Sequence, residues 1–305
     1  MLAGGNADAG VAAATRSPAS PAAPASVVPD DPWWRSEWNL SRIGMPSLWK
    51  VTEGSASTVI AVVDTGVDAT QPDLAGGVLT GYDATTGSDV TGDSVGHGTL
   101  VAEVAAGRGD NGVGGAGVCW RCSILPVRVA PNGTATAVGL AEGIRWAVEH
   151  GADVINISLV LTASDPTVGA AIQYAEERGV IVVAAAGNDG GANPTYPAAF
   201  PGVIGVVATD AADHAYSWAT RGSWTTLAAP GCATVGDAAG AATQLCGSSA
   251  AAPLVSGLVG LLWSAGVRSP AAVRAALTSD SEPLDRSITA GGRVDATSLA
   301  AQLKR

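Results

Sequence analysis

The chain has 305 residues, of which 47% are hydrophobic and only 14% are charged. Its 27 acidic and 16 basic side chains give a formal net charge of -11 at pH 7. This charge argues against nucleic-acid binding and against adhesion to anionic lipid, since both need a basic face. A membrane span needs about 18 apolar residues in a row, and Val180–Ala186 and Leu254–Val267 are too short or interrupted. We therefore expect neither nucleic acid nor membrane as a partner.

The N-terminal segment has a composition unlike that of the remainder. Residues 1–28 are mostly Ala, Pro, Ser and Gly without periodicity, so burial cannot offset the entropy lost on ordering them. We predict a disordered tail over 1–28 and one folded domain over 29–305. The tail lacks the basic start and the apolar stretch of a signal peptide. Either a signal was removed upstream or the segment is a linker from a lost pro-region.

Short β-branched runs alternate with helical stretches through the domain. The predicted strands are Val59–Val63, Ile124–Val129, Val154–Leu159, Val180–Ala185 and Val203–Ala208. The predicted helices are Leu100–Ala106, Ala137–Glu149 and Val168–Glu177, with an apolar helix after Ser249. Continuous apolar strands between helices indicate a buried, mostly parallel sheet in a three-layer α/β/α domain. Active groups then collect at the carboxyl ends of the strands.

The four cysteines are an even number and allow more than one use. Cys119 and Cys122 have the spacing of a redox motif or half of a zinc site, but Cys232 and Cys246 lie too far apart to complete a four-cysteine site. Two local disulfides in an oxidising compartment explain the pattern best. A Cys232–Cys246 bridge closes a loop of about 15 residues and contributes roughly 3 kcal/mol.

Four polar residues stand at predicted strand or helix ends. Asp64 follows a strand, His97 lies between two glycines that leave its ring little steric cover, Asn188 follows a strand, and Ser249 opens the apolar helix. Each alone has a structural explanation as a turn or cap residue. All four together are not explained in that way. The other two histidines, His150 and His214, have the settings of surface residues.

In chain order these residues resemble the catalytic blocks of the subtilisin-like serine proteases (subtilases). The blocks are Val62-Val63-Asp64-Thr65-Gly66-Val67, Gly96-His97-Gly98-Thr99, Ala185-Ala186-Gly187-Asn188 and Gly247-Ser248-Ser249-Ala250-Ala251-Ala252-Pro253. The resemblance is closest to the thermitase-like bacterial branch and runs from about Asp31 to Leu303. It makes 29–305 a subtilisin-like catalytic domain.

The resemblance implies a role for each of the four residues. Ser249 is the nucleophile, and His97 accepts its proton and returns it to the leaving amine. Asp64 holds the imidazole tautomer and stabilises the imidazolium. Asn188 and the backbone N–H of Ser249 donate to the tetrahedral oxyanion. Pro253 is expected in the first turn of the helix, where N–H groups have no intrahelical acceptor.

The resemblance also implies where a peptide substrate binds. An extended peptide is expected to pair with Ser158, Leu159 and Val160 as an added strand. Val160 stands where the family normally has Gly, so we expect a narrower groove. The remaining substrate-binding residues are expected to be Ala185, Ala186, Gly187, Asp189 and Thr195. Asp189 near the specificity pocket and Thr195 at its floor predict tolerance for a polar or basic P1 side chain.

A structural calcium ion is the further expectation from the resemblance, and no cofactor is expected for the chemistry. Asp73 matches the family's calcium aspartate, Asp31 resembles the N-terminal ligand of the thermitase-like branch, and Asn111 lies in the expected calcium loop. Turn chemistry explains Asn111 equally well.

These observations predict a secreted serine endopeptidase that acts on polypeptides through an acyl-enzyme, expected to be a monomer. One alternative is an inactive subtilase fold used as a binding module. Another is a specialised processing protease with few substrates. Val160 and the altered residues beside the triad support the first alternative, and the intact triad opposes it.

Overall fold

The computed structural model describes residues 27–89 and 92–305, which form eight α-helices and nine strands. The helices are Trp38–Ile43 (α1), Met45–Trp49 (α2), His97–Ala106 (α3), Ala137–Glu149 (α4), Pro166–Glu177 (α5), Ser248–Ser264 (α6), Pro270–Ser279 (α7) and Ala296–Leu303 (α8). The strands are Val59–Asp64 (β1), Tyr82–Asp83 (β2), Ser123–Arg128 (β3), Val154–Ile157 (β4), Ile181–Ala185 (β5), Ile204–Thr209 (β6), Leu227–Pro230 (β7), Cys232–Gly236 (β8) and Ala242–Cys246 (β9).

Strands β1 to β7 form one sheet in the order β2-β3-β1-β4-β5-β6-β7, and each neighbouring pair is parallel. Side chains of central strand β1 alternate between two cores. Ile60 and Val62 belong to the core that includes residues of α3 and α6. Ala61 and Val63 belong to the core that includes residues of α4 and α5. Burial on both faces explains the continuous apolar runs, and the predicted three-layer α/β/α fold is confirmed.

Several element boundaries differ from the sequence-based expectation by one to three residues, and two of them lie beside the site. Helix α3 begins at His97, three residues before the predicted start, because its first turn is glycine-flanked and has no apolar periodicity. Strand β4 ends at Ile157, two residues early. Beyond it the chain leaves β4 and pairs in an antiparallel bridge between Leu161 and Tyr196.

Strands β8 and β9 form a separate antiparallel hairpin that leads directly into α6. Asp64 is the last residue of β1, and Ser158 and the Ala186–Asn188 turn follow the carboxyl ends of β4 and β5, at the same edge of the sheet. Among the described residues, no helix has both the length and the apolar character that crossing a bilayer requires. The predicted tail over 1–28 lies outside the described residues, except for Val27 and Val28.

Candidate active site

Asp64 is the last residue of β1, and its side chain is fully buried. Its Oδ1 atom accepts hydrogen bonds from the Thr65 N–H at 2.8 Å and from Nδ1 of His97 at 2.7 Å. A carboxylate at the end of a central buried strand has little freedom to move. Asp64 therefore fixes the orientation of the His97 ring.

Helix α3 begins at His97 in close contact with the end of β1. Gly96 caps the helix with a φ of 89°, a conformation that favours glycine. A Cβ on Gly98 would lie 2.1 Å from the Gly66 carbonyl oxygen. Gly98 is therefore needed for the close approach of helix α3 to strand β1. The sequence had suggested only that the glycine leaves the His97 ring accessible.

Burial and hydrogen bonding have opposite effects on the pKa of His97. Burial lowers the pKa, while the hydrogen bond and the negative charge of Asp64 raise it, and the charge of Asp93 adds to the increase. The net effect raises the pKa above the ordinary histidine value. Such a ring is a stronger proton acceptor than a free imidazole.

Asp93 lies beside this site and is a residue that the sequence motifs did not indicate. Its Oδ1 atom accepts from the Thr65 hydroxyl and from the Val95 and Gly96 N–H groups. Its Oδ2 atom accepts from both the N–H and the hydroxyl of Thr99. These bonds tie the first turn of α3 to the residue after Asp64. An acidic residue shortly before a helix start was the available signal.

Ser249 is the second residue of α6, and the N-cap residue of this helix is Gly247. The Ser249 hydroxyl is partly exposed and donates to the Ser158 carbonyl oxygen at 3.4 Å. A helix N-terminus at this point directs positive potential at a negative charge that develops beside Ser249.

The expectation for Pro253 was wrong. Pro253 is the sixth residue of α6 and lies inside the helix, not in its first turn. Proline has no N–H, so it cannot donate to the Ser249 carbonyl four residues earlier. That carbonyl instead accepts from the Ser158 hydroxyl at 3.4 Å. Because Pro253 leaves the Ser249 carbonyl without a helical donor, this carbonyl can connect the start of α6 to the segment after β4.

Asn188 is exposed and contacts the turn that precedes Ser249. Its Oδ1 atom accepts from the Ser248 N–H at 2.9 Å and the Ser248 hydroxyl at 3.1 Å. Its Nδ2 atom lies 2.8 Å from the position that a Cβ on Gly247 would occupy. Gly247 has a φ of 119°, which only glycine adopts readily. The absence of a side chain at Gly247 thus leaves space in front of the Nδ2 hydrogens of Asn188.

The residues expected to contact substrate lie beside these groups. Ser158 is buried, Leu159 is partly buried, and the Val160 side chain is 39% exposed. The Thr195 hydroxyl donates to the Ala186 carbonyl oxygen at 2.6 Å, and its methyl group lies 3.7 Å from the Cβ position of Gly187. Ala185 ends β5 in the sheet interior.

Asp189 is exposed and held by its neighbours. Its Oδ1 atom accepts from the Thr220 hydroxyl at 2.6 Å and the Gly191 N–H at 2.8 Å. These hydrogen bonds, that of Thr220 most of all, lower the pKa of Asp189. The side chain is therefore a carboxylate at neutral pH.

The cysteines form two disulfides, as predicted. Cys119 pairs with Cys122, and both are fully buried. Cys232 pairs with Cys246 across the β8–β9 hairpin, and Cys246 is exposed.

The three expected calcium residues lie close together. The Asn111 side chain donates to Asp73 Oδ1 at 3.2 Å, and its N–H donates to Asp31 Oδ1 at 3.3 Å. Burial raises the pKa of Asp31, and it raises that of Asp73 to about 6. A nearby cation would offset this cost of burying carboxylates. Within the described residues, no three His, Cys, Asp or Glu side chains are arranged closely enough to hold a metal by themselves. Amide and backbone oxygens would have to complete the shell.

Comparisons with known proteins identify the family. The model of the subtilase family matches residues 55–296. Thermitase from Thermoactinomyces vulgaris is 40% identical over 273 residues, which cover 88% of this chain and 97% of thermitase. A thermophilic serine proteinase from Bacillus sp. (strain AK1) is 41% identical over 220 residues, 72% of this chain and 55% of that protein. This chain therefore spans about half the length of the second relative.

A solved structure gives the same result. A protease from Pseudoalteromonas arctica superposes with a TM-score of 0.82 at 26% identity, covering 90% of this chain and 99% of that one. The family match covers well over half of the chain, and the relatives include thermitase and a serine proteinase. The chain belongs to the subtilase family, in its thermitase-like branch, and is a serine endopeptidase.

Proposed function

We propose that the chain hydrolyses peptide bonds with Ser249 as nucleophile, His97 as general base and Asp64 as the group that orients the base. The 2.7 Å contact between Asp64 Oδ1 and His97 Nδ1 carries the proposal, because it leaves Nε2 of the same ring to accept the serine proton. His97 then returns the proton to the leaving amine, and water repeats the sequence on the acyl-enzyme.

The oxyanion is stabilised by the Asn188 side chain and the Ser249 N–H. The amide oxygen of Asn188 is occupied by Ser248, which supports a donor role for Nδ2. The loss of one such donor costs about 2.7–4 kcal/mol of transition-state stabilisation. The N-terminus of α6 favours the same developing charge.

The peptide binds as an added strand along Ser158, Leu159 and Val160. The exposed Val160 side chain supports a narrow groove beside the backbone that pairs with the substrate. We expect Val160→Gly to lower KM for long peptides several-fold with little change in kcat, since it acts on binding and not on the reacting groups. Higher KM in the glycine variant would contradict this groove assignment.

A carboxylate near the specificity pocket favours basic P1 side chains. Asp189 is ionised at neutral pH, and Thr195 lies beside the backbone of Gly187. Cleavage of a peptide library should therefore include sites after polar and basic residues, and Asp189→Asn should selectively reduce cleavage after Lys and Arg. A strict preference for large aromatic P1 residues would contradict the assignment.

Asp31, Asp73 and Asn111 are proposed to hold a structural calcium ion. Hard oxygen ligands from side chains and backbone are those that Ca²⁺ prefers, and the cation would stabilise two buried carboxylates. Its removal should lower the Tm, whereas Asp73→Asn should make the Tm insensitive to chelator. An equal wild-type Tm with calcium and with chelator would contradict the site.

The protease is proposed to act outside the cell as a monomer. Two disulfides in one domain support an oxidising compartment. Detection of the protein in culture medium with both bridges intact would support secretion, and purely cytosolic protein with free thiols would oppose it.

The decisive variant for the catalytic roles is Ser249→Ala. We expect kcat on casein to fall about 10⁶-fold, as befits loss of a triad nucleophile. Equal activity of wild type and variant would contradict the proposal. A wild type with weak casein hydrolysis but clean cleavage of one protein would instead identify the specialised processing protease, and no cleavage at all would favour the binding module.

A further inference from the structure

The β8–β9 hairpin connects directly to the residues that flank Ser249. Cys232 and Cys246 face each other in its register, and Gly247 is the next residue after Cys246. The hairpin is not part of the seven-stranded sheet. It is held by its own strand pairing, by burial of Ala233, Val235 and Leu245, and by the Gly236 N–H, which donates to Glu103 of α3 at the end far from Cys246.

The Cys232–Cys246 end of the hairpin joins the main sheet at Gly231, which directly follows β7. The Gly247 N–H donates to the Gly231 carbonyl oxygen at 2.7 Å, and the Gly231 N–H donates to the Thr209 carbonyl oxygen at 2.9 Å. The disulfide joins the residues directly beside Gly231 and Gly247. The disulfide therefore reinforces the end of the β8–β9 pairing that lies nearest to Ser249, beside the hydrogen bond between Gly247 and Gly231.

The position of Gly247 determines the geometry of the oxyanion donors. Gly247 has no space for a Cβ against Asn188, and the following N–H, that of Ser248, donates to Asn188 Oδ1. The Ser248 hydroxyl accepts from the Gly187 N–H at 2.9 Å. A shift of Gly247 would therefore move Ser249 and the Asn188 amide together.

The two disulfides differ in exposure and in distance from Ser249. Cys246 is exposed and Cys232 partly so, whereas Cys119 and Cys122 have no exposed surface. The buried bridge packs against Gly260 of α6, about 16 Å along the helix axis from Ser249 at 1.5 Å per residue. Thiol–disulfide exchange depends on access to a sulfur atom, so a reductant should reach the hairpin bridge first.

We infer that the Cys232–Cys246 disulfide is a reducible clamp that positions Ser249 and its oxyanion donors, and that an external dithiol switches the protease to a slower form. The inference rests on the proposed role of Ser249. A dithiol thiolate attacks one bridge sulfur, forming a mixed disulfide and releasing one protein thiolate. Its second thiol then closes a cyclic disulfide and releases the other cysteine. The bridge gains two electrons and two protons, and the dithiol loses them.

The test is mild reduction of the folded, oxidised protein with dithiothreitol, followed by iodoacetamide labelling and peptide mass mapping. We expect alkylation at Cys232 and Cys246 but not at Cys119 and Cys122, and an unchanged far-UV circular dichroism spectrum. We expect kcat to fall about tenfold. This is a smaller decrease than the roughly 10²- to 10³-fold loss that follows complete removal of an oxyanion donor. KM should change by less than about twofold, and reoxidation should restore kcat.

The Cys232→Ser/Cys246→Ser variant provides the matched comparison. It should have the low kcat of the reduced enzyme and show no further response to dithiothreitol. An unchanged kcat after selective reduction would overturn the clamp, and so would a fall in kcat that merely follows loss of the circular dichroism signal. The reduction experiment needs no refolding, so it decides the question even if the variant does not fold. Failure of the oxidised wild type to hydrolyse casein would instead contradict the proposed function itself.

Discussion

We propose that Asp93 positions His97 through the hydrogen bonds that it accepts around the start of α3. Its two oxygens accept from the Thr65 hydroxyl, from two N–H groups before α3 and from Thr99. One carboxylate therefore connects the strand end that carries Asp64 to the helix that carries His97. Its negative charge also contributes to the raised pKa of His97.

We predict that Asp93→Asn lowers kcat by about 10- to 100-fold, because a small displacement of the base is enough to slow proton transfer. The variant also loses a charge that stabilises the imidazolium, so the pKa of His97 falls. Since the base acts in its neutral form, the acid limb of the kcat/KM profile should move to lower pH.

A neighbouring aspartate provides the control for this pH profile. Asp68 accepts from the N–H and hydroxyl of Thr70 on the adjoining loop and is not among the charges that affect His97. Asp68→Asn should leave the acid limb in place. The positioning role would be contradicted if the acid limb of the kcat/KM profile did not shift in Asp93→Asn, or if it shifted equally in both variants.

At the scale of elements, the contact between α3 and the end of β1 depends on a glycine. Gly98 allows the first turn of α3 to pass the Gly66 carbonyl, and the hydroxyl of Thr65 accepts from the Gly98 N–H at 2.9 Å. This contact brings Asp64 and His97 together across 33 residues of chain.

We predict that Gly98→Ala destabilises the fold by at least about 2 kcal/mol, since its Cβ would overlap a backbone oxygen that cannot give way. Activity should fall further than stability explains, because the start of α3 must shift. Denaturant unfolding and kcat on a peptide substrate measure the two effects. Gly92→Ala, in the loop before α3, is the control, because a Cβ there meets nothing within 4 Å. Similar losses in both variants would refute the role of the α3–β1 contact.

The same elements illustrate what the sequence could predict. Strands β1, β3, β4, β5 and β6 were found because burial on both faces requires continuous apolar runs. Strand β7, Leu227–Pro230, was not found, because it is short and has no β-branched residue. The four residues of the site could be predicted because each lies in a short motif and the motifs occur in a fixed order along the chain: Asp64, His97, Asn188 and Ser249. Asp93 was missed because its role depends on contacts with Thr65, 28 residues away.

At the scale of the whole molecule, part of the acidic excess is buried. Burial raises the pKa of both Glu37 and Glu103 to about 8. Both carboxyl groups are therefore mostly protonated at pH 7. The net charge of the protein at that pH is then about two units less negative than the formal value. Glu103 accepts from the Gly236 N–H and the Gln71 side chain, and so joins α3 to the end of strand β8.

Glu103 makes stability depend on pH. Its folded-state pKa of about 8 lies above the ordinary value of 4.5, so its contribution is fully present below about pH 4.5 and is lost as the pH rises through about 8. We predict that the free energy of unfolding falls by about 3 kcal/mol from this group between pH 6 and 9. Glu103→Gln should remove that part of the slope, as measured by Tm at several pH values. Parallel pH profiles for wild type and variant would contradict the prediction.

The central claim is that Ser249 is a nucleophile activated by His97 and Asp64. A fluorophosphonate probe tests it most directly, because the probe forms a stable adduct only with an activated serine. The oxidised wild type should take up one equivalent, peptide mapping should locate it on Ser249, and Ser249→Ala should take up none. An unlabelled but folded wild type, or equal labelling of the Ser249→Ala variant, would contradict the account.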